Sequence, residues 1–355
     1  HSLQINPQKP IIFSIFLFFC ENLNIYRFPM NKEKFKSSLH RLRLTINGEK
    51  NMNPHLIGET AALCTSVLWT MSSILLASAG KKIGALSVNT IRVSTAILLI
   101  CVTHFIIFGT VFPMATRFQW YYLSFSGFLG LALGDFGYLG SLVLIGPRRG
   151  VLLASMAPVF STISAYFILD ETLEFQTLIG IFITLLGIII VVIEREKNSI
   201  SSIPEEKKIL GIFFGLVGSI GQGVGYTISK YGMVSLESIP LNPLSATLIR
   251  MISATLIVWI IFIFIKKPSG ILKLYTDRKA MMLTMGGAGT GPFLGVWLSM
   301  IAVTYTAAGV ASTLTSLMPI LVIPSVWILY GEKTNLRGIL GAVIAVVGVT
   351  ILFMK

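Results

Sequence analysis

The chain has 355 residues, of which 54% are hydrophobic and only 12% are charged, and its formal net charge at pH 7 is +13. A soluble domain carries about 25% charged residues, so this composition excludes a water-soluble globular protein. The basic residues lie in short segments between apolar runs, where such residues set membrane orientation. We therefore expect a lipid bilayer as partner and no nucleic acid.

The amino-terminal segment, residues 1–51, differs from the rest of the chain because it is largely polar and basic. Its one apolar run, "IIFSIFLFFC" at 11–20, is too short to span a membrane as a helix. We treat residues 1–51 as a tail that is a candidate for a non-native segment, with Met52 as a candidate natural start.

Ten membrane spans are predicted after this tail, because uncharged apolar runs of about 18 or more residues indicate transmembrane helices. The runs do not alternate apolar and polar residues as the strands of a membrane barrel do. The predicted spans are 56–79, 86–108, 119–145, 149–169, 175–193, 208–231, 244–265, 280–305, 308–330 and 336–354.

One long polar connection, "EREKNSISSIPEEKK" at 194–208, divides the spans into two sets of five. The predicted units are a first repeat at 52–194, a linker at 195–207 and a second repeat at 208–355. Five is an odd number, so the second unit enters the membrane from the opposite side. Inverted repeats with a binding site between them are a recurrent architecture of secondary transporters.

The two halves share a pattern of proline, glutamate and two glycines, written P-x12-E-x8-G-x6-G. A single offset of 161 relates Pro158, Glu171, Gly180 and Gly187 to Pro319, Glu332, Gly341 and Gly348. Slightly smaller offsets, as short loop insertions produce, align three further pairs: Arg92 with Arg250, Trp69 with Gln222, and Ser73 with Tyr226. The halves therefore read as two copies of one unit.

On these repeated patterns, together with "LGDFGYLGSL" in span three and "GQGVGYTISK" in span six, the chain resembles the EamA family of the drug/metabolite transporter superfamily. The resemblance covers residues 52–355. It implies ten helices around a central cavity and movement of small metabolites across the cytoplasmic membrane. The second half departs from the first because Pro292 stands where the first half has Asp135.

Asp135 is the strongest candidate for a functional charge, because 17 uncharged residues precede it and 12 follow it. Charged groups inside spans are costly and usually face a cavity or a partner. Asp135 could bind a proton, a cation or an amine, or it could form a structural ion pair with Arg92 or Arg250. The two arginines could bind a carboxylate or phosphate as a matched pair, or their long side chains could reach the membrane interface.

A polar and aromatic stripe supplies the remaining candidates for substrate contact. Gln222, Tyr226 and Lys230 recur every four residues and share one helix face. Their counterparts Trp69 and Ser73 lie at matching depth in span one. Tyr138 follows Asp135 by three residues, and Trp297 lies in the matching span eight, so both are predicted to line the cavity.

Other repeated residues are predicted to have structural roles. Proline removes a backbone hydrogen bond, so Pro158 and Pro319 are expected to kink the fourth helix of each half. Glu171 and Glu332 are expected at turns near the membrane edge. The three cysteines lack the spacing of a disulfide framework or a zinc site, and we expect no metal, cofactor or catalytic residue.

The leading functional hypothesis is a multi-pass secondary transporter in the cytoplasmic membrane, exporting or exchanging small metabolites such as amino acids, with protons as a candidate coupling ion. The alternative is a membrane-embedded transferase, which needs clustered reactive side chains at interfacial depth. The acidic clusters of this chain have no histidine or cysteine near them in sequence, which disfavours the enzyme. The oligomeric state is left open.

Overall fold

The computed structural model describes residues 54–83, 85–194, 205–234, 240–265, 277–318, 320–321 and 336–353. All of them belong to one compact unit that comprises residues 53–355. Every regular element in these ranges is helical, so the predicted all-α class is confirmed for the described part of the chain. The predicted tail and residues 195–204 of the predicted linker lie outside the described residues.

The helices follow one another along the chain with two short π-helical segments among them. The first half contains α1 (Pro54–Ile83), α2 (Ala85–Phe108), α3 (Arg117–Gly127), π1 (Phe128–Leu133), α4 (Gly134–Ala154), α5 (Ala157–Leu169) and α6 (Phe175–Glu194). The second half contains α7 (Glu205–Val234), α8 (Pro243–Ile265), α9 (Arg278–Ala288), π2 (Gly289–Gly295), α10 (Val296–Tyr305), α11 (Ala308–Thr315) and α12 (Leu336–Phe353).

Several of these helices have the length and composition of membrane spans. The described residues include five stretches that are long and apolar enough to cross a bilayer, namely Pro54–Leu76, Ser87–Phe108, Lys208–Val234, Pro243–Phe264 and Arg278–Tyr305. Three more apolar helices are shorter, namely Ala157–Leu169, Phe175–Ile190 and Leu336–Ile351. Much of predicted span nine lies outside the described residues, so the count of ten spans stays a prediction.

The boundary between predicted spans three and four differs from the sequence-based expectation. Helix α4 continues without interruption through the predicted loop at 146–148, and α5 begins only after a two-residue turn. Pro158 therefore lies in the first turn of α5, where the missing N–H would have had no helical partner. The predicted kink at Pro158 is wrong, because this proline starts a helix. Pro319 lies outside the described residues.

Side-chain caps fix the start of the third helix in each half. Thr116 accepts a hydrogen bond from the Gln119 N–H, and the Gln119 side chain accepts one from the Thr116 N–H, which completes a capping box at α3. Asp277 caps α9 by accepting from the Ala280 N–H at 2.9 Å and also pairs with Lys82 at 2.9 Å. These contacts, the Ala280 N–H above all, hold the pKa of the exposed Asp277 carboxyl below its usual value.

The two π segments interrupt corresponding helices of the two halves. At the end of π1 the Gly134 N–H donates to the Leu129 carbonyl, and at the end of π2 the Val296 N–H donates to the Gly291 carbonyl. Both bonds span five residues instead of the four of an α-helix. Such segments occur frequently at functional sites. Segment π1 ends two residues before Asp135, and π2 contains Pro292, the repeat counterpart of Asp135.

Glycines bring the last helices of the two halves into close contact. Helices α6 and α12 form one of the two most extensive helix contacts of the described residues. A side-chain carbon built on Gly187 would lie 2.6 Å from the Gly341 carbonyl oxygen, and one built on Gly348 would lie 2.9 Å from the Gly180 carbonyl oxygen. The repeat offset of 161 relates Gly187 to Gly348 and Gly180 to Gly341, so each contact is the repeat counterpart of the other. A two-fold relation between the two halves produces such reciprocal contacts. Small residues allow such close approach of membrane helices.

A second pair of contacts between the halves involves α1 and α7. A side-chain carbon on Gly134 would lie 3.2 Å from Gln222 Cγ, and one on Gly291 would lie 3.6 Å from Trp69 Cζ3. Gln222 and Trp69 are repeat counterparts, and so are Gly134 and Gly291. Each first helix of a repeat therefore packs against the third helix of the other repeat, beside the π segments.

Candidate functional site

A buried ion pair lies at the centre of the candidate site. The guanidinium of Arg92, on α2, binds the Asp135 carboxylate through Nη2 and Oδ2, and each side chain is only 8% exposed. Asp135 is the second residue of α4, directly after π1. Of the pairings left open by the sequence, the structure therefore forms the one with Arg92. The Arg92 guanidinium carbon also lies 6.0 Å from the centre of the Trp69 ring, the outer limit of a cation–π contact.

Helix α7 brings polar side chains of the second repeat to this pair. The Gln222 side chain lies close enough to Asp135 to interact with its carboxyl group, and it packs over Gly134, the preceding residue. Tyr226, one turn further along α7, interacts electrostatically with Arg250. Both side chains are half-buried, and their role in lining a cavity between the repeats stays a prediction.

Arg250 lies on α8 and is the repeat counterpart of Arg92, but its surroundings differ. The residue is 2% exposed, and its Nη1 donates to the Met300 sulfur at 2.9 Å. In the described part of the chain its Nε has no hydrogen-bond partner, and no carboxylate lies within 4.0 Å of it. Asp135 acts on Arg250 only through a longer-range attraction.

Three further residues were predicted to contact the substrate, and their surroundings differ. Tyr138 is half-buried and lies close enough to Asp135 and Arg92 to interact electrostatically with both. Ser73 is half-buried too, and its hydroxyl donates to the Thr70 carbonyl at 2.8 Å within α1. Trp297 is only 1% exposed and packs against Phe293, with 6.2 Å between the ring centres. The role of all three in substrate contact stays a prediction.

Lys230 belongs to a different cluster from the central pair. Its Nζ lies 2.5 Å from Glu171 Oε1 and donates to the Thr306 carbonyl at 2.7 Å. The other oxygen of Glu171, Oε2, accepts from the Ala308 N–H at 3.0 Å, at the start of α11. The two side chains thereby tie the end of α5 to α7 and α11, so Glu171 is an ion-pair partner as well as a turn residue.

Removal of Lys230 tests whether this second cluster stabilises the fold. We expect Lys230→Met to destabilise the protein by about 1–3 kcal/mol, because Glu171 would keep its charge with one partner fewer at a largely buried position. The double variant Glu171→Gln/Lys230→Met should lose less than the two single variants together. Thermal unfolding of the detergent-purified variants measures both effects. A Lys230→Met variant as stable as the wild type would show that the pair contributes nothing.

Some residues of the site could not have been singled out from the sequence. Met300 supplies the acceptor for Arg250, and Gly130 lies beneath the same guanidinium, where a side-chain carbon would come within 3.1 Å of Nη2. Methionine and glycine are abundant in this chain and carry no signal of their own. Glu171 could be singled out from the sequence by its place in the repeated pattern. That pattern predicted a turn residue and not an ion-pair partner.

The comparisons with known proteins agree with this architecture. A solved structure described only as the crystal structure of a protein shares the fold with a TM-score of 0.67 and 13% sequence identity, over 83% of this chain and 95% of that chain. At that identity the similarity concerns the fold alone. None of the curated proteins matches the sequence.

The family model described as the EamA-like transporter family matches the sequence twice, at residues 56–193 and 209–354. One match falls in each half, and together they include most of the chain. They confirm the resemblance that the repeated patterns indicated. The chain belongs to the EamA-like transporter family and is therefore a membrane transporter of the drug/metabolite type.

Proposed function

We propose that the protein is a secondary transporter that exports or exchanges small metabolites such as amino acids across the cytoplasmic membrane. The observation that supports this most is the buried polar cluster, in which Arg92 and Asp135 from the first repeat meet Gln222 and Arg250 from the second. Ionisable groups within spans are rare and mark substrate or ion pathways. A purely structural protein has no need for such groups where both repeats meet.

Alternating access fits the position of this cluster. In transporters with inverted repeats the site lies at the repeat interface, and one repeat moves against the other around it. Here α1 and α7 each pack against the third helix of the opposite repeat through glycine contacts at Gly134 and Gly291. A small tilt of these helices would expose the half-buried Trp69, Gln222 and Tyr226 to one side of the membrane and then to the other.

A proton gradient is the proposed source of energy for uphill transport. Protonation of Asp135 would remove the charge that holds Arg92, and the pair would separate. Because Arg92 lies on α2 and Asp135 on α4, the protonation state would be coupled to the relative position of two helices. Transport and proton movement would then be linked through one carboxyl group.

The test compares proton-driven accumulation with substrate exchange in proteoliposomes. Labelled amino acids are offered to wild type, Asp135→Asn and Arg92→Gln/Asp135→Asn, first with a pH gradient and then with unlabelled substrate inside and no gradient. We expect both variants to lose pH-driven accumulation. The double variant should keep exchange, because it contains no unpaired buried charge.

The amount of folded protein in each vesicle preparation is the control, measured by size-exclusion chromatography after detergent extraction. Wild-type uptake that fails for every small metabolite offered would contradict the proposed function. Unchanged pH-driven uptake by the double variant would contradict only the role of Asp135 in proton coupling. The proposed transport function would stand, since transport itself would persist.

A further inference from the structure

The two repeat-related arginines have unequal electrostatic surroundings. Arg92 is neutralised by Asp135, with which it forms an ion pair. The repeat counterpart of Asp135 is Pro292, which has no charge and no side-chain acceptor. Among the described residues, Arg250 therefore lacks the carboxylate that its counterpart has.

The charges of this cluster do not cancel. Two arginines and one aspartate leave an excess of one positive charge, and all three residues are at most 7% exposed. Burying an uncompensated charge is costly unless a partner is supplied, and the cost is larger in a span that faces lipid on its outer side. An anionic group bound next to Arg250 would bring the charge of the cluster to zero.

The guanidinium of Arg250 also has unused hydrogen-bonding capacity. Arginine carries five N–H donors and no acceptor, and here one of the acceptors is the Met300 thioether, which accepts only weakly. The Nε atom is buried without a partner. A carboxylate matches the planar donor fork of a guanidinium with two parallel hydrogen bonds, so it suits these donors better than a thioether does.

Gly130 allows the guanidinium of Arg250 to pack directly against the backbone of π1. A side-chain carbon at this position would lie 3.1 Å from Nη2 of Arg250, so any larger residue would crowd the guanidinium. From α7, the half-buried Tyr226 interacts electrostatically with Arg250, while Gln222 lies beside Gly134 and Asp135. The guanidinium therefore lies next to a bare backbone and near a phenol, and its donors are not saturated.

We propose that Arg250 is the residue that binds the substrate, through a carboxylate that takes the role Asp135 has for Arg92. The inference rests on the proposed transport function and narrows its substrates to compounds with a free carboxylate. Arg92 is not assigned this role, because Asp135 already neutralises its charge, although the Nε of Arg92 is also buried without a partner. The two repeats thus differ in their counter-ion, which is a carboxylate of the protein for Arg92 and a carboxylate of the substrate for Arg250.

Thermal unfolding and uptake with matched acid and ester probes test the proposal. Each of a set of amino and 2-oxo acids is compared with its methyl ester, and a phosphate monoester serves as a second type of anion. The proteins are wild type, Arg250→Lys, Arg250→Gln and, as a matched control, Arg117→Gln, which replaces an exposed arginine at the start of α3.

We expect at least one acid to stabilise the wild type and to be taken up, while its ester does neither. Arg250→Gln should bind that acid roughly 10- to 100-fold more weakly, the loss typical of a hydrogen bond to a charged group. Arg250→Lys should recover part of the affinity, and Arg117→Gln all of it. Without ligand, Arg250→Gln should unfold at about the wild-type temperature, because it removes a surplus charge.

Three results would overturn the proposal. They are equal effects of acid and ester on the wild type, binding of the acid that is unchanged in Arg250→Gln, and stabilisation by the phosphate monoester alone. In each case transport could still be measured, so the proposed function would stand. If no solute of any class were transported by the wild type, the proposed function would fail and this inference with it.

Discussion

Arg92→Gln and Asp135→Asn are each expected to destabilise the folded protein by about 3–5 kcal/mol, the cost typical of breaking a buried ion pair from one side. Each single variant leaves the opposite charge without its partner at a position that is 8% exposed. Arg92→Gln should also remove the guanidinium from beside the Trp69 ring. Resistance to unfolding by sodium dodecyl sulfate, followed by circular dichroism, measures the loss.

The double variant Arg92→Gln/Asp135→Asn provides the control for this effect. Both charges disappear together, so its stability should lie well above that of either single variant and close to that of the wild type. Single variants as stable as the double variant would show that the pair is hydrated or compensated by other groups. Comparison with Arg250→Gln completes the set, because that variant should be stable without any second change.

Gly187→Val and Gly348→Val are expected to destabilise the protein by similar amounts, each about 1–3 kcal/mol or more. Each side chain would have to enter the backbone of the opposite helix, since even one carbon on Gly187 would lie 2.6 Å from a carbonyl oxygen and one on Gly348 would lie 2.5 Å from the Thr184 nitrogen. The combined variant should lose less than the sum, because the first substitution already forces α6 and α12 apart.

Substitutions on the outer faces of the same helices are the matched controls. Leu186→Val and Val347→Leu change side chains that are 42% and 49% exposed, next in sequence to the two glycines. We expect them to have little effect on the same unfolding assay. Glycine variants that behave like these controls would contradict the reciprocal crossing of α6 and α12.

The repeated pattern was the most informative part of the sequence. Gly180, Gly187, Gly341 and Gly348 were recognised only by their spacing, and the structure shows why that spacing recurs: all four lie in one helix crossing. Close packing of two membrane helices requires small residues at fixed intervals, so the helix crossing can be recognised in the sequence from the spacing of its glycines. The all-helical class could also be predicted, because uncharged apolar runs of about 18 or more residues indicate transmembrane helices.

The end of α4 could not be predicted in the same way. Residues "GPRRG" at 146–150 combine glycine, proline and two charges, which in most chains ends a helix, but α4 continues through them. The difference between Arg92 and Arg250 was equally hidden. Both are arginines at corresponding places in apolar spans, and only the three-dimensional arrangement of the helices determines which of them meets Asp135.

The π segment before Asp135 has a consequence for the direction of that side chain. A π turn holds about one residue more than an α turn, and one residue of an α-helix corresponds to about 100° of rotation about the axis. If π1 relaxed into α-helix while α3 stayed in place, the start of α4 would turn by about a quarter of a revolution. The Asp135 carboxylate would then point away from Arg92, so the ion pair depends on the helical register of the six residues of π1.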